Sequence, residues 1–235
     1  MLAAAMSRDA TGAPPDGPRI IATMTLTAVR FAQPPPLDAC VDAPAWQAVP
    51  GVALADTWRG DPAPAALGTT ARLAWSATHL WVAFECAYTE LDADSGPDVD
   101  TSVERIALWE RDVCEAFVWC PAEPRETSYK EFEVAPTGQW CDLAIHEPRV
   151  HVDIAWQSGM ATAAAIDEAT HIWRAVMRLP FAAFGVAPAP GDVWRANLFR
   201  IGRVDGARQF LAYAPTGTAA PDFHVPAAFV PLRFA

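Results

Sequence analysis

The chain has 235 residues, 52% of them hydrophobic and 10% aromatic, which is enough apolar material for one sizeable core. Its 17 cationic side chains face 28 carboxylates, a formal net charge of −11, and Lys130 is the single lysine. Phosphate backbones and anionic lipid repel such a chain, which argues against nucleic-acid and membrane partners, and ten Trp with eleven Phe argue against disorder.

Met1 to Thr23 is rich in Ala, Pro, Gly and Asp and reads as a disordered leader, with Met24 a candidate start and residues 24–235 a single domain. No cationic segment leads into the apolar stretch of a secretory signal, and no run reaches the ~18 apolar residues of a membrane span. As written the protein is expected to be soluble and cytoplasmic, or periplasmic or secreted if the start is misassigned. Five cysteines, Cys40, Cys86, Cys114, Cys120 and Cys141, contain no C-x-x-C pair, and most of them are expected as small buried hydrophobes.

From Thr25 onward the apolar period is two, the signature of strands. Thr25 to Phe31 alternates and ends at the proline triplet Pro34 to Pro36. Thr70 to Ser76 and Leu80 to Tyr88 form a hairpin about Ala77 to His79. Further strands are expected at Asp112 to Cys120, Ser128 to Ala135, Gln139 to Glu147, Gly159 to Asp167, His171 to Leu179, Arg195 to Arg203 and Arg208 to Tyr213. Pro136-Thr137-Gly138 reads as a tight turn, and Pro180 to Phe184 as the one helical turn. Many short strands at intervals of about ten residues predict an all-β chain, an antiparallel β-sandwich of jelly-roll type.

Strand parity brings acids together. Glu115 shares a face with Val113, Phe117 and Trp119, while Glu131 and Glu133 share one with Tyr129. Carboxylates among aromatic rings suit a hydroxyl-rich ligand, since they accept O–H bonds while rings pack on C–H faces. The competing expectation is ion pairing with Arg174, Arg195, Arg200 or Arg203 on neighbouring strands. Trp109, in the loop before Asp112, reads as a ligand platform. The loop Leu91 to Thr101 carries Asp92, Asp94, Asp98 and Asp100, whose oxygens could hold Ca²⁺, although the spacing is not that of an EF-hand. Otherwise it is a solvated acidic loop. His79, His146, His151, His171 and His224 are scattered, and no nucleophile elbow, phosphate loop or dinucleotide fingerprint occurs.

Taken in order, Leu80 to Cys86 (LWVAFEC), Leu108 to Phe117 (LWERDVCEAF) and Tyr129 to Gly138 (YKEFEVAPTG) with Trp140 and Asp142 resemble the DOMON-like, family 9 carbohydrate-binding modules. Trp173 to Phe184, Trp194 to Arg200, Pro221 to Pro226 and Leu232 to Phe234 continue the resemblance, which spans about Val41 to Phe234. It implies a β-sandwich that holds the end of a glycan between aromatic rings, often with structural calcium. Trp109 and Glu115 then match one clamp wall and the sugar-bonding acid, Phe223 matches the opposite wall, and Tyr213 a further aromatic. Glu133 stands where some members have a cation. The expected function is non-catalytic binding of a small saccharide or sugar-like ligand, with Glu133, Asn197, Arg203 and His224 as further contacts and calcium the one cofactor suggested. The alternatives are an enzyme using Glu115, Glu131, Glu133 or His224 as acid or base, and a haem protein drawing on Met160, Met177 or Lys130.

Overall fold

The computed structural model describes residues 24–96 and 99–235, so the leader assigned to 1–23 and Asp98 of the acidic loop lie outside them. Fourteen strands are found among the described residues: β1 (Leu26–Arg30), β2 (Val52–Ala53), β3 (Asp56–Thr57), β4 (Thr69–Trp75), β5 (His79–Ala87), β6 (Val113–Trp119) and β7 (Tyr129–Val134), then β8 (Trp140–Glu147), β9 (His151–Asp153), β10 (Ala161–Asp167), β11 (Ile172–Pro180), β12 (Val193–Val204), β13 (Ala207–Ala212) and β14 (Val230–Phe234). The ten expected strands are all present, and the helical turn is a 3₁₀ turn at Phe181–Phe184. Four elements had no clear pattern: β2 and β3 are two residues long, β9 is three, and β14 is interrupted by Pro231.

The strands hydrogen-bond in the order β10-β11-β5-β4-β1-β14-β12-β6-β7-β8-β9 and fold into two layers joined at β1 and β14. The expected all-β sandwich is present, and every strand pairing but those of β1 is antiparallel among the described residues. Strand β1 runs parallel to both β4 and β14, so the sheet is mixed. The hairpin about residues 77–79 is closed by Ser76, whose Oγ accepts from the N–H of His79 at 3.2 Å. At the tip of the β7–β8 hairpin Gly138 has φ +84°, a conformation that disfavours any residue with a Cβ.

Between the layers lies the main core. Leu73, Val82, Phe84, Trp173 and Met177 come from one layer, Ala116, Val118, Phe132, Val134 and Leu198 from the other. Arg200 on β12 is buried there and donates across the core to Leu67 O, Thr69 Oγ1 and Ala87 O at 2.7–3.1 Å. Cys86 and Cys114 face each other across it, their Sγ atoms 3.5 Å apart, and both are free thiols. Cys40 is exposed, unlike the other four cysteines. Each layer also has an outer face with its own cluster. Phe31, Val41, Trp46 and Val49 cover the β4–β5–β11 layer, and Trp46 sits in the short helix α1 (Pro44–Gln47). Phe117, Tyr129, Leu143, Phe199, Phe223 and Phe229 cluster on the β12–β6–β7–β8 layer. Among the described residues no helix is long and apolar enough to cross a membrane.

Candidate ligand-binding pocket

The outer face of β12, β6, β7 and β8 is written by strand parity into two rows. Phe199, Glu115, Glu133 and Cys141 stand opposite one another in register, and Asn197, Phe117, Glu131 and Leu143 form the adjacent row. Glu115 and Glu133 are therefore direct cross-strand neighbours with Glu131 one row away. Like charges so placed repel. Above them opens a pocket of about 630 Å³, with Glu115 and Glu131 in its floor.

Two loops and β13 build the walls. Ala107 adopts a left-handed backbone, φ 68°, at the start of the 3₁₀ turn Leu108–Glu110, which presents Trp109 to the pocket. The Arg208 guanidinium bonds the carbonyl of Trp109 and lies over the ring of Phe210, 5.0 Å from its centroid. Opposite, Phe223 stacks on Phe199 with centroids 4.2 Å apart and planes at 12°. Its loop is pinned by Arg149, which bonds Asp222, while Asp222 accepts the backbone N–H of His224. The Tyr129 hydroxyl and His224 Nδ1 are 2.6 Å apart, and Phe117 packs against both rings.

Burial decides the electrostatics. It is the main reason that Glu115 and Glu133 are pushed well above the usual carboxylate range. Repulsion from Glu131 adds to both, and repulsion between Glu115 and Glu133 adds to the latter; Arg208 opposes the rise at Glu115. Glu131 rises to about 7, again through burial, against a hydrogen bond with Glu133 and the pull of Arg149. His224 is lowered to about 4 by burial and by Arg149, so it is neutral near pH 7. The expected ion pairs to the glutamates do not form. Arg174 binds Glu85, Arg195 bonds Glu126 O, Arg200 lies in the core and Arg203 binds Asp92.

Of the expected site residues, the structure brings Trp109, Glu115, Phe223 and His224 together in the pocket, with Glu133 beside Glu115 below it. Three stand apart. Asn197 uses its amide on Ala214 O and on the N–H groups of Leu198 and Ala214. Tyr213 lies in the inner core and donates to Thr25 O, and Arg203 is turned to the acidic loop. In that loop Asp92 is held by Arg111 and Arg203, and Asp94 by Arg105 and Arg111. Asp100 caps Ser102. Asp92 and Asp94 do not fit a calcium site: guanidinium groups already supply the positive charge a cation would bring. Of the residues offered to haem, Met160 and Met177 lie in the inner core and Lys130 is paired to Glu123. Arg149, Arg208, Phe210 and Asp222 are pocket residues that sequence reasoning missed.

No protein-family model and no curated protein matches the sequence. Solved structures do share its architecture. A candidate carbohydrate-binding protein from Bacteroides uniformis superposes with a TM-score of 0.69 at 20% identity, over 90% of this chain and 99% of its own. A family 9 carbohydrate-binding module from Caldicellulosiruptor kristjanssonii, solved with cellotriose and with glucose, gives 0.64 in both forms at 13% and 14% identity. Those superpositions cover 90% of this chain and 93% and 96% of theirs. Identities this low speak to the fold, and the fold is the sandwich of the family 9 modules.

Proposed function

We propose that the pocket holds the end of a small saccharide or sugar-like molecule and releases it unchanged. The observation that carries this reading is the pairing of aromatic walls with a floor of carboxylates that no arginine neutralises. A sugar ring offers apolar C–H faces to Trp109 and Phe223 and hydroxyl donors to Glu115 and Glu131. Arg149, Arg208 and neutral His224 at the rim can bond its oxygens. A cavity of about 630 Å³ is within the range of small-molecule sites. Modules of the same fold, solved with cellotriose and glucose, lend further support.

Calorimetric titration of glucose, cellotriose and a wider oligosaccharide panel tests it. At least one saccharide should bind, and Trp109→Ala should weaken it ~10–100-fold with little change in Tm, because a stacking ring is worth ~1–3 kcal/mol and Trp109 is only half-buried. An unfolded Trp109→Ala protein, or a panel without a binder, overturns the reading. One observation favours an enzyme instead. Glu131, held near pH 7 beside Glu133, is placed to move a proton. Mass spectrometry of aryl glycosides and oligosaccharides after incubation separates the two; unchanged substrates support binding, and a product that Glu131→Gln fails to make supports catalysis.

A further inference from the structure

Three carboxylates converge at the base of the pocket. One oxygen from each of Glu115, Glu131 and Glu133 lies within 4.8 Å of the other two, and all three residues are buried. Oε1 of Glu115, Oε2 of Glu131 and both carboxyl oxygens of Glu133 have no hydrogen-bond partner outside the triad, within which Glu131 and Glu133 bond each other, and Glu133 is 0% exposed. The Trp109 amide leans toward Glu133 and favours its charged form, but it does not reach bonding geometry. Arg149 and Arg208 bind Asp222 and the Trp109 carbonyl, and His224, whose Nδ1 stands 3.8 Å from Glu131 Oε2, is neutral near pH 7, so the three acids have no charged partner in contact. Cross-strand carboxylates with bare oxygens are an unfavourable construction unless something positive completes it.

We infer that Glu115, Glu131 and Glu133 form a site for one divalent cation of calcium size at the floor of the pocket, with the ion's remaining positions turned toward the cavity. Hard carboxylate oxygens select hard cations. Three protein carboxylates gathered within 4.8 Å of one another suit Ca²⁺, whereas Mg²⁺ dehydrates reluctantly and is usually held by one or two. Glu133, wholly buried and bonded only within the triad, is the ligand with no other role. Three side chains leave about three to five positions for water or for ligand oxygens. Vicinal hydroxyls can take two of them, and this last step rests on the saccharide reading.

The test uses the full chain, stripped with chelator and titrated with CaCl₂ and separately with MgCl₂ by calorimetry and thermal melting. Ca²⁺ should bind one to one and raise Tm by a few degrees, with Mg²⁺ weaker. Glu133→Gln should cut Ca²⁺ affinity at least tenfold while raising the Tm of the metal-free protein, because it removes the cost of burying an acid; a folding defect would lower it. Asp92→Asn should leave the Ca²⁺ titration unchanged. No heat and no Tm shift up to millimolar Ca²⁺ overturns the site, as does a response lost in Asp92→Asn and kept in Glu133→Gln. Glucose titrated with Ca²⁺ and with chelator keeps the two readings distinct. Ca²⁺ binding without any saccharide binding upholds the site and sinks the saccharide reading; saccharide binding in a protein blind to Ca²⁺ does the reverse.

Discussion

The two outer faces of the sandwich follow the same strand parity and end differently. On the β4–β5–β11 layer the outward residues are Ala74, Trp81, Ala83 and Val176, and the segment from Phe31 to Val49 lies over them. Trp46 meets Phe31 edge-on at 5.1 Å, Phe31 meets Trp81 at 6.0 Å, and the face is sealed. On the β12–β6–β7–β8 layer the outward residues include Glu115, Glu131 and Glu133, and the segments carrying Trp109 and Phe223 stand as walls around an open cavity. Apolar faces are closed because closure stabilises them. A face that buries acids and stays open loses stability by it, so its composition points to a ligand rather than to folding.

The largest effect tests the sealed face. Trp46, 1% exposed, should cost ~3–5 kcal/mol in urea unfolding when changed to Ala, as large aromatic truncations in cores do. Trp109→Ala on the open face should cost ~1 kcal/mol or less in the same experiment. Equal losses would mean that both faces are core, and the contrast between them would fail.

Next comes a buried acid away from the pocket. Asp112, just before β6, is 1% exposed with both carboxyl oxygens unpartnered. Burial raises it to about 6 although Arg200 and Arg203 pull it down. A carboxyl raised in the folded state contributes stability that is complete below its unfolded value and is lost as pH rises through the folded one. The wild type should therefore lose up to ~3 kcal/mol from this group between pH 4 and pH 8. Asp112→Asn should remove that share of the pH dependence and leave saccharide binding intact. A pH profile identical to that of the wild type would show that Asp112 ionises freely.

Period-two patterning made ten of the fourteen described strands legible, and parity alone placed Glu115, Glu131 and Glu133 together. What parity cannot reveal is pairing partners. The sequence offered four arginines to those acids, and long-range register sent every one elsewhere. Asn197 had the right parity too, and only the path of the chain at Ala214 shows its amide to be committed to backbone. The parallel pairing of β1 leaves no local trace, since it depends on where β14 arrives some 200 residues later. Arg208 and Phe210 alternate on β13 and share a face, a signal that was readable. Arg149 was not, because it sits in a turn with φ 65° and reaches Asp222 far along the chain.

The smallest effect concerns that reach. The Arg149–Asp222 pair is half-exposed, so its direct contribution to stability is slight. Its consequence is positional: Asp222 also accepts the N–H of His224, so the pair fixes the segment that carries Phe223 and His224 to the pocket rim. Arg149→Ala should leave Tm nearly unchanged and weaken saccharide binding several-fold, through the entropy of reordering that segment on binding. Arg149→Lys keeps the charge and loses the planar guanidinium, so partial recovery is expected. Measured by calorimetry on one saccharide, unchanged affinity in Arg149→Ala would show that the Phe223 segment holds its place without the pair. The open face would then be as rigidly built as the sealed one, the two differing only in what their strands present.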